Sequence, residues 1–247
     1  MCTLQKRGSF FILTLTGAGA GDREHRLSPT VIGNIRAALS EVRSQAVAGS
    51  VLITRSEGRF FSNGFDLRHA QAVGAAAGKS DAAAAELLRM VDLFRGVVAD
   101  LLSLPMPTVA AVSGHAAAAG MILAMSHDYV TMTSDRAVMY MSELDIGMTL
   151  PDYFTALIRG KIGSGIGRRE VVLGAAKIGA TAAAEMGIVD SVEGTAAEVE
   201  AAAERKAEEL GKRRWNGVVY AEIRKDLYPE VCGLLGLKHS PVVVAKL

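Results

Sequence analysis

Two carboxylates, Glu143 and Asp145, sit in the stretch VMYMSELDIGMTLPDYF (residues 138–154), which otherwise reads as buried strand or tight turn. Apolar surroundings disfavour the charged form of a carboxyl group, so its pKa rises and it becomes the stronger base that proton abstraction needs. The plain reading of Glu143 is a partly exposed strand-end carboxylate in a salt bridge. That of Asp145 is a side chain capping or bracing the turn. A second stretch, GRFFSNGFDLRHA (58–70), follows a strand signal. It reads either as a surface loop with Asp66 capping a helix, or as a loop whose backbone N–H groups face a ligand, with Gly64 supplying conformational freedom. A third, VSGHAAAAGMILAMSHD (112–128), places four alanines and a glycine at a helix start. Small residues there permit close packing, and the unpaired N–H groups of a first helical turn can also receive negative charge. Two such donors aimed at one oxygen form an oxyanion hole.

These stretches need elements to hold them. SFFILTLT (9–16) and SVLIT (50–54) are short β-branched runs suited to buried strands, and the whole N-terminal stretch MCTLQKRGSFFILTLTG reads as the first strand. Between them Ser28 is a candidate N-cap with Pro29 at the first helical position, and Ile32, Ile35 and Leu39 follow at helical spacing. Leu87, Val91, Phe94, Val98 and Leu101 form one face of a second helix that Pro105 closes. A strand at PTVAAVSG, a loop, a helix of small residues and a strand ending near Thr133 come next. After Pro151 the pattern is of successive short helices, with the change from strand-rich to helix-rich chain near residue 190.

Composition excludes several classes. The 247 residues hold 27 Lys plus Arg against 26 Asp plus Glu, so no overall field recruits nucleic acid or an anionic membrane. No apolar run approaches the ~20 residues of a membrane span. Only Cys2 and Cys232 are present and the histidines lack ligand spacing, so no disulfide framework and no metal site is expected. The C-terminal Ala-Lys-Leu, residues 245–247, is a conservative relative of the Ser-Lys-Leu peroxisomal address.

In order and separation, FFSNGFDL, GHAAAAGMILAMSHD and YMSELDIGMTLP resemble the motifs of the crotonase superfamily of enoyl-CoA hydratases and isomerases, over roughly residues 8–190. Within it, GHAAAAG with YMSELDIG and LPDYF is most similar to plant peroxisomal Δ3-Δ2-enoyl-CoA isomerases. The resemblance implies an α/β fold, a crotonase-like spiral of repeated ββα units over residues 1–190 carrying an acyl-CoA site, and a C-terminal helical region over 191–247. It implies Glu143 as catalytic acid/base and the N–H groups of Phe65 and Ala119 as oxyanion donors. Ser62, Asn63, Gly64, Phe65, Asp66 and Leu67 then line the CoA. Hydratases of the superfamily carry a second glutamate where this chain has Ile122, so isomerisation of 3-enoyl-CoA to trans-2-enoyl-CoA is expected rather than hydration. The alternatives are an acyl-CoA thioester hydrolase using the same hole and a non-catalytic acyl-CoA-binding homologue. No cofactor beyond the acyl-CoA substrate is expected. A trimer or hexamer, a peroxisomal location and an import receptor reading the C-terminal tripeptide complete the expectation.

Overall fold

A computed structural model describes residues 1–17, 23–79 and 81–244. The C-terminal tripeptide 245–247 lies outside the described residues. The N-terminal stretch expected to be one strand is two, β1 (Cys2–Arg7) and β2 (Phe10–Leu15), paired antiparallel with Lys6 opposite Phe11. The break is at Gly8, which turns the chain with φ +61°. Helix α1 (Pro29–Ser44) begins as expected: Ser28 Oγ accepts the Val31 N–H, and Ile32, Ile35 and Leu39 are buried.

From there one unit recurs three times. β3 (Val51–Ser56) and β4 (Phe60–Ser62) lead into α2 (Leu67–Ala77) and α3 (Ala82–Leu102). β5 (Thr108–Val112) and β6 (His115–Ala117) lead into α4 (Ala119–Met125). β7 (Tyr129–Thr133) and β8 (Val138–Tyr140) lead, after a turn, into α5 (Asp152–Lys161). The first strand of each pair joins a large sheet and the second a small one. The chain continues through α6 (Gly165–Val172), β9 (Ile178–Gly179), α7 (Ala180–Glu185), β10 (Ser191–Glu193), α8 (Ala196–Lys212), α9 (Gly217–Leu227) and α10 (Pro229–Leu234). The large sheet has the order β1-β2-β3-β5-β7-β10 and the small sheet β4-β6-β8-β9.

The central strands of the large sheet, β2, β3, β5 and β7, are buried on both faces, which is why they read as largely continuous apolar runs rather than alternating ones. The period of two still sorts the side chains. Leu52, Ala110 and Val112 face the main core with α1 and α3, whereas Val51, Ile53, Val109 and Ala111 face Val199, Ala203, Ala207 and Leu210 of α8. A capping box starts α8: Thr195 Oγ1 accepts the Glu198 N–H while the Glu198 carboxylate accepts the Thr195 N–H. Residues 167–192 depart from the expected string of helices, because β9 and β10 interrupt it. These strands have two and three residues, too few to show a period, and they form because a sheet edge is available to each.

The small sheet positions the site. β4, β6 and β8 run parallel, with Ser62 paired to Ala116 and Ala117 to Tyr140, so the chain leaving their C-terminal ends converges at one place. The carboxyl ends of parallel strands are the usual ligand side of an α/β sheet. What leaves those ends here is Asn63–Asp66, Ala118–Ala119 and Met141–Glu143.

Candidate active site

The loop after β4 is held against the segment Glu24–Leu27. Asn63 N–H donates to Glu24 O (2.8 Å), Leu27 N–H to Gly64 O (2.8 Å) and Asp66 N–H to Leu27 O (3.4 Å). This forms a parallel bridge between Leu27 and Phe65 that uses the peptide groups on either side of Phe65. Alternation along an extended chain then directs the N–H of Phe65 itself to the opposite side. Gly64 has φ +71°, a conformation costly for residues with a Cβ. It also lies against the second loop: a Cβ on Gly64 would stand 3.0 Å from Ala117 O and 3.5 Å from Ala119 N.

The second loop is shaped by Ala118, whose N–H donates to Tyr140 O (2.8 Å) and whose backbone has φ 49°, ψ −121°. Ala119 is the first residue of α4, so its N–H has no carbonyl four residues earlier inside the helix. Gly120 makes the approach possible, since a Cβ there would come within 2.2 Å of Ser62 O. Both readings of the alanine run therefore hold at once, small residues for close packing and a free first-turn donor.

Glu143 opens the turn after β8, closed by Met148 N–H to Glu143 O (2.8 Å). Its side chain is buried, with the residue 6% exposed, and Oε2 is out of solvent with no hydrogen-bond partner. Burial pushes its pKa above the usual carboxylate value, and the nearby N–H groups of Glu143 and Ser142 only partly oppose this. A salt-bridged, partly exposed Glu143 is thus not what the chain builds. Asp145 points the other way: it is exposed in the same turn, and neither caps nor braces it by any side-chain bond among the described residues. Ile122 is fully buried in the main core, so no carboxylate stands at the position where a hydratase has its second one.

Among the remaining expected site residues, Asn63 is half-buried, Gly64 is buried and Leu67 half-buried at the start of α2. Ser62 differs from expectation: the residue is fully buried and its hydroxyl donates to His25 O (2.8 Å), so it is a brace inside the fold rather than a surface open to a ligand. The Asp66 carboxylate accepts the His69 N–H (3.1 Å) and caps α2. The Phe65 ring packs edge-on to Phe94 of α3 at 5.7 Å and stacks with Phe154 of α5 at 6.4 Å between centroids. This anchoring was not legible in the sequence, where Phe94 reads only as one of a helical stripe; neither was the role of Glu24–Leu27, which reads as a charged break before a helix. Two surface cavities lie away from these residues. One of about 420 Å³ is lined by Trp215, Val219, Tyr220 and Ile223, and another of about 660 Å³ by Arg59, Ser113, His115 and Arg136.

Two sheets fed alternately by repeated ββα units define the crotonase class of fold. Solved structures share it across nearly the whole chain: an enoyl-CoA hydratase/isomerase family protein from Pseudomonas syringae superposes with TM-score 0.80 at 22% identity, covering 95% of this chain and 93% of that one. The chain belongs to the enoyl-CoA hydratase/isomerase family, whose model matches residues 23–223. It is 53% identical over the full length of both chains to the peroxisomal enoyl-CoA delta isomerase 2 of Arabidopsis thaliana. It is 50% identical to the peroxisomal enoyl-CoA delta isomerase 1 of the same plant, over 94% of this chain and 91% of that one.

Proposed function

We propose that the protein is a peroxisomal Δ3-Δ2-enoyl-CoA isomerase that shuttles a proton on Glu143. The thioester oxygen of a 3-enoyl-CoA lies between the N–H groups of Phe65 and Ala119. The Glu143 carboxylate takes a proton from C2, and the electron pair delocalises through C3 and C4 and onto the thioester oxygen as a dienolate. The protonated Glu143 returns the proton at C4, the C2–C3 double bond forms, and the carboxylate is regenerated. The sum is an isomerisation: nothing is oxidised, no water is added, and no cofactor beyond the CoA thioester takes part.

Desolvation strengthens both halves. It raises the basicity of Glu143, and it lets two fixed N–H dipoles act on the developing oxyanion without competition from water. The observation that carries the reading is a buried carboxylate at Glu143, whose Oε2 has no hydrogen-bond partner among the described residues, combined with buried Ile122 in place of a second one. Holding and activating water for addition takes both carboxylates, whereas moving one proton takes one. The full-length similarity to enoyl-CoA delta isomerases supports the same choice.

The CoA runs along the loop after β4, meeting the backbone of Asn63, Gly64, Phe65 and Asp66 and the side chain of Leu67. The assembly is a homo-oligomer, a trimer or hexamer, which sedimentation of the purified protein tests; exposed Leu144, Ile146, Ile223 and Leu227 are apolar surface that an interface would cover. The C-terminal Ala-Lys-Leu is read by a peroxisomal import receptor, and its removal is expected to leave the protein outside peroxisomes. The activity itself is tested by offering cis- and trans-3-hexenoyl-CoA and trans-2-hexenoyl-CoA in parallel. Conversion of the first two without hydration of the third is expected. Hydration at a comparable rate would overturn the inference from Ile122, and release of free CoA would point to thioester hydrolysis.

A further inference from the structure

We propose that His25 is the positioning residue of the oxyanion hole: a buried imidazole that fixes the path of the strand delivering the Phe65 N–H, without itself touching substrate. His25 is almost wholly buried. Its Nδ1 stands 2.8 Å from Phe60 O and 3.2 Å from Phe61 O. Both partners are carbonyls, which only accept, so Nδ1 carries the hydrogen and donates. The carbonyl of His25 in turn accepts the Ser62 hydroxyl at 2.8 Å. One residue therefore grips Phe60, Phe61 and Ser62, the whole of β4, from its side chain and its main chain together. Its neighbours continue the grip, with Glu24 O holding Asn63 and Leu27 bridged across Phe65.

The backbone of His25 has φ +48°. Apart from glycine, Asn, Asp and His are the residues enriched in this left-handed region, so the position asks for a residue that tolerates it and also carries a donor near the Cβ. Without the imidazole, β4 loses its side-chain hold at Phe60 and Phe61 and shifts on the Glu24–Leu27 segment within its remaining main-chain ties. An N–H displaced by about 1 Å loses its aim at the oxyanion, and displacements of that size cost on the order of 10² in rate. The substrate's remaining contacts stay, so the loss falls on kcat rather than KM.

The proposal rests on the isomerase reading, and its test separates the two. His25→Gly keeps the left-handed backbone accessible while removing the donor. His25→Asn keeps both, because its amide nitrogen occupies nearly the place of Nδ1. His25→Gln reaches further, towards the place of Nε2. The expected kcat for 3-hexenoyl-CoA falls on the order of 10²-fold in His25→Gly and His25→Gln with KM changed by less than about threefold, and His25→Asn recovers most of it. Acetoacetyl-CoA gives a readout without turnover, since its enolate has its own near-ultraviolet absorption and forms on the protein to the extent that the hole stabilises it. That band is expected with the wild type and His25→Asn and greatly weakened in His25→Gly and His25→Gln. Wild-type protein that raises the enolate band but does not isomerise would sink the isomerase reading and leave His25 under test. Folded His25→Gly with wild-type kcat and enolate band would overturn the proposal. So would His25→Asn no better than His25→Gln, a comparison that stands even if His25→Gly fails to fold.

Discussion

Glu143 owes its chemistry to what surrounds it rather than to its type. In the proposed mechanism the ionised form removes the C2 proton, so kcat/KM is expected to fall as pH drops through the raised pKa of Glu143, above the acid limb of an ordinary exposed carboxylate. A pH profile of the purified protein measures this. The same shift has a stability consequence. With the folded pKa above the unfolded one, the folded state binds the proton more tightly, so this contribution is present at low pH and is lost as pH rises through the folded pKa. Glu143→Gln is therefore expected to melt higher than wild type at neutral pH, with the gap closing in acid; equal melting temperatures at both would contradict the burial argument. Ala118 is a strained residue at the site. Its φ of 49° carries a cost of ~1–3 kcal/mol, and Ala118→Gly, after the extra entropy of an unfolded glycine, is expected to stabilise by about 1 kcal/mol in denaturant titration. Residue type and spacing singled out the stretches around Glu143, Gly64 and the alanine run, whereas the roles expected of Glu143, Phe65 and Ala119 came from the resemblance to the crotonase superfamily. The direction of a side chain at an irregular strand end is not carried by spacing, which is why Ser62 reads as a ligand contact and turns out to be a brace for His25.

The elements that bring these residues together are mostly short. The long ones were readable, because α1 and α3 repeat their apolar positions over several turns and carry a cap or a closing proline. β6, with three residues, reads as loop, yet it supplies the middle strand between β4 and β8 and aims Ala119 at Gly64. Only a partner on each side makes it a strand, and those partners are distant in the chain: Phe60 of β4 pairs with His115, and Met139 of β8 with Ala116. The joint between β4 and α4 depends on Gly120, where an added Cβ would reach 2.2 Å from Ser62 O. Backbone cannot yield as a flexible side chain does, so Gly120→Ala is expected to push the two donors apart. Steady-state kinetics are expected to show kcat reduced at least ~10²-fold, the cost of losing an oxyanion donor. A fully active Gly120→Ala would mean that the contact between the two loops is unimportant to the chemistry.

At the scale of the molecule, α9 is tied to the spiral through a buried cluster. Arg224 of α9 donates to both oxygens of Asp128 at 2.6 Å and to the carbonyls of Leu101, Leu102, Leu104 and Met106, at the end of α3 and the approach to β5. Asp128 also receives the Thr108 N–H and the Tyr220 hydroxyl. Removing one partner of a buried pair leaves the other uncompensated, so Arg224→Ala is expected to cost roughly 3–5 kcal/mol in chemical denaturation, and lysine, lacking the planar fork, to recover only part. This tie joins residues some hundred positions apart, and nothing in the local pattern of α9 announces it. The division near residue 190 follows composition, whereas α8 covers one face of the large sheet and β10 closes its edge. The central claim remains that one carboxylate does the chemistry. Its most direct test is turnover of 3-hexenoyl-CoA by Glu143→Gln, with acetoacetyl-CoA affinity measured alongside. Isomerisation reduced on the order of 10²–10⁴-fold with affinity retained is the expected result. A folded Glu143→Gln that isomerises within tenfold of wild type would contradict it.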